Sequence, residues 1–226
     1  MTEQDITQND LASLLVETAK SKRVLVAIAG PPGVGKSTFS RELCERLNAS
    51  QQDLCAMLPM DGFHFDDIYL KEQGWHAHKG APHTFDVDGF VNMLERLRAE
   101  REEQVAIPIF DREIEVARAG AAVISRASRI ILVEGNYLLL DEAPWANLSG
   151  VFDFTLMISA SEKTLVTRLS KRWLDFGYSR AEVEQRVAGN DLVNIRSVIN
   201  GSRSADFLVF SDDNQDAANG RRIDLS

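Results

Sequence analysis

The chain has 226 residues, of which 44% are hydrophobic and 26% charged, a composition typical of one ordinary globular α/β domain. Its net charge of −9 argues against a general role at nucleic acids or membrane surfaces. The two cysteines are too few for a disulfide framework, no apolar run reaches the roughly 18 residues that cross a bilayer, and the N-terminus is unlike a secretory signal. We therefore expect a cytoplasmic protein without nucleic-acid or membrane partners.

The first predicted elements are a helix at 9–20 and an apolar strand, Val24–Ala29, and a glycine-rich loop follows the strand. The loop matches the phosphate-binding pattern G-x-x-x-x-G-K-[ST]. Glycines let successive N–H groups turn inward around a phosphate, and the helix that follows adds its positive end. A simple strand-to-helix turn would not need the Lys-Ser pair. The predicted nucleotide-binding residues are Gly30, Pro31, Pro32, Gly33, Val34, Gly35, Lys36, Ser37 and Thr38.

Two residues of this loop are expected to do more than bind the nucleotide. Lys36 can reach the outer phosphates, where the reaction would take place, and the Ser37 hydroxyl can occupy one position on a Mg²⁺ ion. The helix that begins near Thr38 is predicted to end near Leu47.

A second buried strand is predicted at 54–59, and Asp61 follows it. Ligand sites of parallel α/β sheets collect at the carboxyl ends of strands. A carboxylate beside the γ-phosphate could orient an attacking hydroxyl and take its proton. Asp-Gly is also a common turn pair, so position alone leaves both interpretations open.

The segment 65–84 has no helical or strand periodicity, which favours a functional or mobile stretch. A helix capped by Asp86 or Asp88 is predicted to run to about 101, followed by a strand at 105–110 in which Pro108 indicates an edge or irregular position. Short hairpin-like pieces are predicted at 114–116 and 122–124. Four histidines lie close together in the sequence, without metal-ligand spacing, so we interpret them as polar pocket or loop residues: His64, His76, His78 and His83.

An apolar strand at 130–133 ends in Glu134, where a carboxylate can bind Mg²⁺ or one of its waters, although a solvated acidic residue is the alternative. After a strand at 154–158, Ser161 is predicted to cap a helix over 162–175. Arg168 and Arg172 lie four residues apart on one face of it. They could close over the transferring phosphoryl group, or form an ordinary basic surface.

The last predicted elements are a long helix that begins with a capping box at Ser179 and ends near 199, and a strand at 207–210 that closes the sheet. The tail from 211 is polar until 223–225. Strands that alternate with helices predict a mostly parallel sheet covered on both faces.

Several motifs occur in an order that resembles the P-loop kinases, a group that includes uridine kinase, phosphoribulokinase and bacterial pantothenate kinase. They are the phosphate loop, Met60-Asp61-Gly62-Phe63-His64, Lys79-Gly80-Ala81-Pro82-His83-Thr84-Phe85-Asp86, Pro108-Ile109-Phe110-Asp111-Arg112, Val133-Glu134-Gly135-Asn136-Tyr137-Leu138, Asn190-Asp191-Leu192-Val193-Asn194-Ile195 and Arg203-Ser204-Ala205-Asp206. Within this group the chain is most similar to bacterial proteins labelled "putative fructose transport system kinases".

The resemblance implies a three-layer P-loop NTPase-like α/β fold and one kinase domain over 1–226, with a lid around 161–180 and a substrate-binding insertion around 62–86. It also implies that Asp61 is the catalytic base or orienting carboxylate, that Glu134 serves the metal, and that Arg168 and Arg172 contact phosphate.

The resemblance has two departures that concern the substrate. The tyrosine-histidine pair of pantothenate kinases is replaced by Phe110-Asp111-Arg112, and the signature of uridine kinases is absent. An anionic or polyhydroxy acceptor is therefore also open. Lys79, Arg112 and Tyr137 could face such an acceptor. The residues predicted to bind the substrate, whatever its class, are His64, Lys79, His83, Arg112, Tyr137, Asn190 and Asn194.

The predicted function is an ATP- and Mg²⁺-dependent phosphotransferase that acts on a hydroxyl of a small metabolite: a sugar such as fructose, a pantothenate-like compound or a nucleoside. The alternative is a P-loop switch or sensor ATPase without an acceptor, although the guanine motif N-K-x-D is absent. The sequence leaves open whether the protein forms a homodimer.

Overall fold

The computed structural model describes residues 4–211, which form eight strands. These are β1 (Gln4–Asp5), β2 (Val24–Ala29), β3 (Cys55–Pro59), β4 (Gln104–Asp111), β5 (Val116–Ser125), β6 (Ile130–Gly135), β7 (Phe154–Ser159) and β8 (Phe207–Phe210). Six of them form a parallel sheet in the order β1-β8-β7-β2-β6-β3. The other two, β4 and β5, form a separate antiparallel hairpin.

Helices cover both faces of the sheet, as the alternation of strands and helices predicts. They are α1 (Gln8–Ala19), α2 (Lys36–Ser50), α3 (Asp67–Glu72), α4 (Val87–Ala99), α5 (Glu162–Asp175), α6 (Arg180–Arg186) and α7 (Leu192–Gly201). Three predicted caps, Asp86, Ser161 and Ser179, are confirmed, since their side chains accept a backbone N–H of the first turn. Thr7 caps α1 in the same way.

The strand β2 lies at the centre of two hydrophobic cores because its side chains alternate between the faces of the sheet. Val24, Val26 and Ile28 pack with α1, α2 and α5 on one face. Leu25 and Ala27 pack with α4 and the hairpin on the other. All six residues of β2 are buried, which gives the three-layer arrangement and places the end of this strand deep in the molecule.

Two predicted segments differ from the structure. The piece predicted at 114–116 covers the end of the turn between β4 and β5 and the first residue of β5, and the piece at 122–124 lies within β5. The ten-residue strand β5 pairs with β4 along nearly its whole length. The pairing supplies hydrogen bonds that no local pattern indicates. The ladder shifts register between Ile107 and Ile109, which confirms the irregularity predicted at Pro108.

The C-terminal part also differs in three details. The predicted helix 179–199 is divided into α6 and α7 by a π-helical turn, Val187–Asp191. The strand β8 does not close the sheet, because β1 pairs beyond it. The region 65–84 contains the short helix α3 and two 3₁₀ turns, and the prediction for 223–225 lies outside the described residues.

None of the helices within residues 4–211 is long and apolar enough to span a membrane. Cys44 and Cys55 are both buried free thiols, packed between α2 and the sheet.

Candidate active site

The phosphate-binding loop connects β2 to α2 and has backbone torsions that favour glycine. Gly30, Gly33 and Gly35 have φ angles of 156°, 81° and 98°. A Cβ atom at Gly33 would lie only 2.9 Å from the Leu169 side chain of α5. A side chain at this position would therefore strain the backbone and also displace the helix that packs on the loop.

Lys36, the first residue of α2, is 7% exposed at the base of the loop. Its Nζ donates hydrogen bonds to the Pro31 carbonyl at 3.0 Å and to Asn136 Oδ1 at 2.7 Å. Burial lowers the pKa of Lys36, and the nearby carboxylates of Glu134 and Asp61 act in the opposite direction. A buried ammonium group held only by neutral oxygens is suited to bind an incoming phosphate.

Ser37, in the first turn of α2, lies beside Glu134, near the carboxyl end of β6. Ser37 Oγ donates to Glu134 Oε1 at 3.1 Å. Burial raises the pKa of Glu134, with Lys36 as the largest opposing influence. A hydroxyl and a carboxylate beside a phosphate loop fit Mg²⁺, which binds oxygen ligands and keeps several waters. Within residues 4–211, no group of three or more His, Cys, Asp or Glu side chains could hold a metal by itself.

Asp61 lies on a 3₁₀ turn, Met60–Phe63, directly after β3. The turn packs closely on the hairpin, since a Cβ atom at Gly62 would lie 2.4 Å from the Pro108 carbonyl oxygen. Arg112 Nη2 donates to Asp61 Oδ2 at 2.6 Å. The Asp61 carbonyl oxygen lies 2.8 Å from His64 Nδ1, and burial lowers the pKa of that histidine. The close contact of turn and hairpin fixes the Asp61 carboxylate beside the phosphate loop.

The helix α5 lies over the loop and presents two arginines. Arg168 Nη1 donates to the Val34 carbonyl at 3.4 Å, and Nη2 donates to the Ser211 carbonyl at 2.7 Å. The Arg172 guanidinium lies over the Trp173 ring, with 5.7 Å between Cζ and the ring centroid. Burial and then the charge of Arg112 lower the pKa of Arg172, with Asp61 the largest opposing influence.

These elements enclose a cleft of about 360 Å³, within the size range of small-ligand sites. The cleft lies at the carboxyl ends of β2, β3 and β6. It brings together twelve of the residues predicted from sequence: Pro32, Gly33, Gly35, Lys36, Ser37, Thr38, Asp61, His64, Arg112, Glu134, Arg168 and Arg172.

Several residues predicted to face the substrate do not line this cleft. Tyr137 is buried, and its hydroxyl donates to the Gly80 carbonyl at 2.6 Å. Asn190 donates to the Lys79 carbonyl at 3.1 Å, and Asn194 donates to Asn190 Oδ1. Tyr137 and Asn190 therefore bind the backbone around Gly80 outside the cleft, and Asn194 supports Asn190. The substrate-binding role of these three residues stays a prediction.

The remaining two predicted substrate residues, Lys79 and His83, lie in the segment 62–86 and do not line the cleft. Lys79 Nζ donates to Asp67 Oδ1 and to the Glu115 carbonyl, each at 2.6 Å. His83 is exposed, with its ring against Trp75 at 5.2 Å between centroids. Of the predicted loop residues, Gly30, Pro31 and Val34 form the body of the phosphate loop without lining the cleft.

Sequence reasoning assigned no role to some cleft residues. Asn136 binds Lys36, and Phe85 and Leu169 form apolar walls. Asn136 and Phe85 lie within the motifs that carry the family resemblance, so their position in those motifs could have identified them. Leu169 has no such sequence signal, because helical spacing alone predicts only a core residue.

Asp191, in the π-helical turn, is hydrogen-bonded to α5 beside the site. Its Oδ2 accepts a hydrogen bond from Trp173 Nε1 at 2.7 Å. Burial raises the pKa of Asp191 above its usual 3.8, although this hydrogen bond and the charges of Arg172 and Arg186 oppose the shift. The folded protein therefore keeps this proton to a higher pH than the unfolded chain. The stabilisation that results is present below pH ~4 and is lost as pH rises through the folded pKa.

We expect Asp191→Asn, which stays neutral and keeps an acceptor for Trp173, to gain stability relative to the wild type as pH rises through this window. Urea unfolding of both proteins between pH ~4 and ~7 measures the difference. Parallel pH profiles of the two free energies of unfolding would contradict the prediction.

Comparison with known proteins agrees with this geometry, although no family model matches the chain. "Uncharacterized protein YggC" of Escherichia coli K12 is 35% identical over 190 residues, 83% of this chain and 78% of that protein. "Putative uridine kinase C227.14" of Schizosaccharomyces pombe is 29% identical over 209 residues, 89% of each chain. A "putative fructose transport system kinase" from Silicibacter sp. TM1040 has a crystal structure that superposes with a TM-score of 0.82 at 37% identity, covering 90% of this chain and 99% of that one.

The chain belongs to the P-loop kinases of small molecules. The family resemblance and the P-loop NTPase-like α/β fold inferred from sequence are confirmed. An ATP-dependent small-molecule kinase is confirmed as the class of enzyme.

Proposed function

We propose that this P-loop kinase transfers the γ-phosphoryl group of ATP, with Mg²⁺, to a hydroxyl group of a small polar metabolite bound beside Asp61. The hydroxyl proton passes to the Asp61 carboxylate, the oxygen bonds to the γ-phosphorus, and ADP leaves with the electrons of the broken bond. The observation that supports this proposal is the position of Asp61 in the same cleft as Lys36 and Glu134.

The nucleotide would be bound by the loop amides and by Lys36, which would exchange its neutral oxygen partners for phosphate oxygens. Ser37 and Glu134 would hold Mg²⁺, which supplies charge neutralisation between the phosphates. Arg168 and Arg172 would stabilise the charge of the transferring group, because guanidinium groups in a half-buried cleft attract phosphate strongly.

The whole chain, 1–226, would act as one kinase domain with two specialised segments. The segment around 161–180 would be the lid, since α5 supplies the two arginines and packs on the phosphate loop. The segment around 62–86 would be the substrate-binding insertion, since it contributes His64 and Phe85 to the opposite wall.

The acceptor class is tested by a coupled ADP-release assay. The panel contains fructose, uridine and pantothenate, following two of the relatives' names and the motif resemblance. A kinase releases ADP in proportion to an added acceptor, with one phosphorylated product for each ADP. A switch or sensor ATPase would release ADP slowly at a rate that no acceptor changes, and this result would contradict the proposal.

Glu134→Gln is expected to lower the Mg²⁺-dependent part of ATP affinity by about 10- to 100-fold, the range for lost support of a bound metal. The neutral amide keeps the shape of the side chain but gives up the charge that attracts the cation. Calorimetric titration with ATP, with and without Mg²⁺, measures the effect.

The control for this prediction is Glu142→Gln, at an exposed position after the same strand. It should bind ATP with the same Mg²⁺ dependence as the wild type. An unchanged Mg²⁺ dependence in Glu134→Gln would remove this residue from the metal site.

A further inference from the structure

Arg112 is the first residue after β4, at the tip of the hairpin beside the cleft. Its side chain is 49% exposed, and Nη2 donates to Asp61 Oδ2 at 2.6 Å. Within residues 4–211, Asp61 is the only hydrogen-bond partner of this side chain. A guanidinium group has five N–H donors, so most of them are free to bind a ligand.

The position of Arg112 is fixed by the packing of the hairpin tip. Lys79 Nζ donates to the Glu115 carbonyl in the same turn, at 2.6 Å. The Arg112 guanidinium and the Lys79 ammonium lie 5.9 and 5.3 Å from the centroid of the Phe110 ring. Arg112 is therefore held at the mouth of the cleft by a turn that is attached to the insertion, and it does not depend on Asp61 alone for its place.

The pair between Arg112 and Asp61 conflicts with the role proposed for Asp61. The Arg112 guanidinium occupies Oδ2 of Asp61, one of the two oxygens that would accept the proton of the acceptor's hydroxyl. Arg172 lines the same cleft, and the charge of Arg112 lowers its pKa, so the two guanidinium groups repel each other within this cleft. The other titratable groups that sense Arg112 are Lys36, His64 and Glu134. An anion between the two arginines would relieve their repulsion and give Arg112 a second partner.

Resting on the kinase activity proposed above, we propose that Arg112 binds an anionic group of the acceptor, a carboxylate or a phosphate, and that this exchange of partners releases Asp61 for the acceptor's hydroxyl. Exposed ion pairs contribute little to stability, so the exchange costs little. The substrate class is then a hydroxy acid or a sugar phosphate. Before such an acceptor binds, the ion pair restrains Asp61 and limits the transfer of phosphate to water.

Matched acceptors test the proposal in the coupled ADP-release assay. Pantothenate is compared with pantothenol, in which a hydroxymethyl group replaces the carboxylate, and fructose 6-phosphate is compared with fructose. We expect kcat/KM for one anionic member to exceed that of its neutral counterpart by about 10²-fold or more, as for a charge that is paired in a cleft. The pair that shows this ratio distinguishes a carboxylate from a phosphate. Ratios near one in both pairs, when turnover is measurable, overturn the proposal.

Arg112→Gln is the decisive variant, and Arg118→Ala is its control, because Arg118 pairs with Asp111 on the same hairpin at 2.8 Å. We expect Arg112→Gln to raise KM for the anionic acceptor. The ratio of kcat/KM between the anionic acceptor and its neutral counterpart should fall below about tenfold in this variant and stay at the wild-type value in the control. We also expect it to hydrolyse ATP without acceptor about fivefold faster, since Asp61 is released.

The hydrolysis measurement keeps the proposal testable even if no compound of the panel is phosphorylated. An unchanged ratio, or a rate of ATP hydrolysis no higher than that of the wild type, overturns the role of Arg112 while leaving the kinase activity in place. Absence of MgATP binding in the wild type is a different result, because it overturns the kinase activity and this inference with it.

Discussion

Replacing Asp61 with Asn is expected to lower kcat by about 10²–10⁴-fold while MgATP affinity stays unchanged. The amide has nearly the shape of the carboxylate but cannot take the proton of an attacking hydroxyl. Because Asp61 lies on the turn after β3, whereas the predicted nucleotide-binding loop follows β2, the substitution should leave that loop in place. Steady-state kinetics with the acceptor found in the panel, together with calorimetric titration of ATP, measure both quantities.

A matched control for this variant is Asp88→Asn, an exposed position in the first turn of α4. It should retain the turnover of the wild type, so that a loss in Asp61→Asn reports the site and not the loss of one negative charge. Near-normal turnover of Asp61→Asn would remove this residue from its catalytic role. Loss of ATP binding would show instead that the carboxylate serves the nucleotide.

Replacing Lys36 with Met is expected to lower kcat/KM for ATP by about 10²–10³-fold, because in the proposed mechanism the ammonium would stabilise charge that develops on the phosphates. The nucleotide-free protein should unfold at nearly the same temperature as the wild type. Burial lowers the pKa of Lys36, so its charge is costly in the folded state. Removing the buried charge therefore stabilises the folded state, and this gain offsets the stability lost with the hydrogen bonds to Pro31 and Asn136.

Thermal unfolding with and without MgATP distinguishes these two effects. Saturating nucleotide should raise the melting temperature of the wild type, since a ligand at 100 times its Kd adds about 2.7 kcal/mol of stability, and it should leave that of Lys36→Met nearly unchanged. The exposed Lys20, paired with Glu17 on the surface, provides the control Lys20→Met, which should respond to MgATP as the wild type does. An equal response of Lys36→Met would contradict the assignment.

Local sequence was sufficient to predict the elements that depend on neighbouring residues. The strand Val24–Ala29 and the helix Glu162–Asp175 have the bounds that their residues indicate. The phosphate loop follows from glycine torsions and from a helix start, both of which are properties of a few consecutive residues. The caps Ser161 and Ser179 follow from one side chain and the turn beside it.

Tertiary structure decided which of the predicted polar residues meet in the cleft. Tyr137 and Asn190 belong to motifs that carry the family resemblance, yet they donate to backbone carbonyls and do not line the cleft. A short motif places a residue near a site but does not determine which way its side chain points, since that depends on the elements packed against it.

The chain by itself therefore determined a phosphate-binding loop, a parallel α/β sheet and a set of acidic and basic candidates. Only the fold brings Arg112 into contact with Asp61, 51 positions away, and Asn136 into contact with Lys36, 100 positions away. The physical reason is that these contacts depend on how the hairpin and the strand ends pack together, which no local stretch of sequence contains.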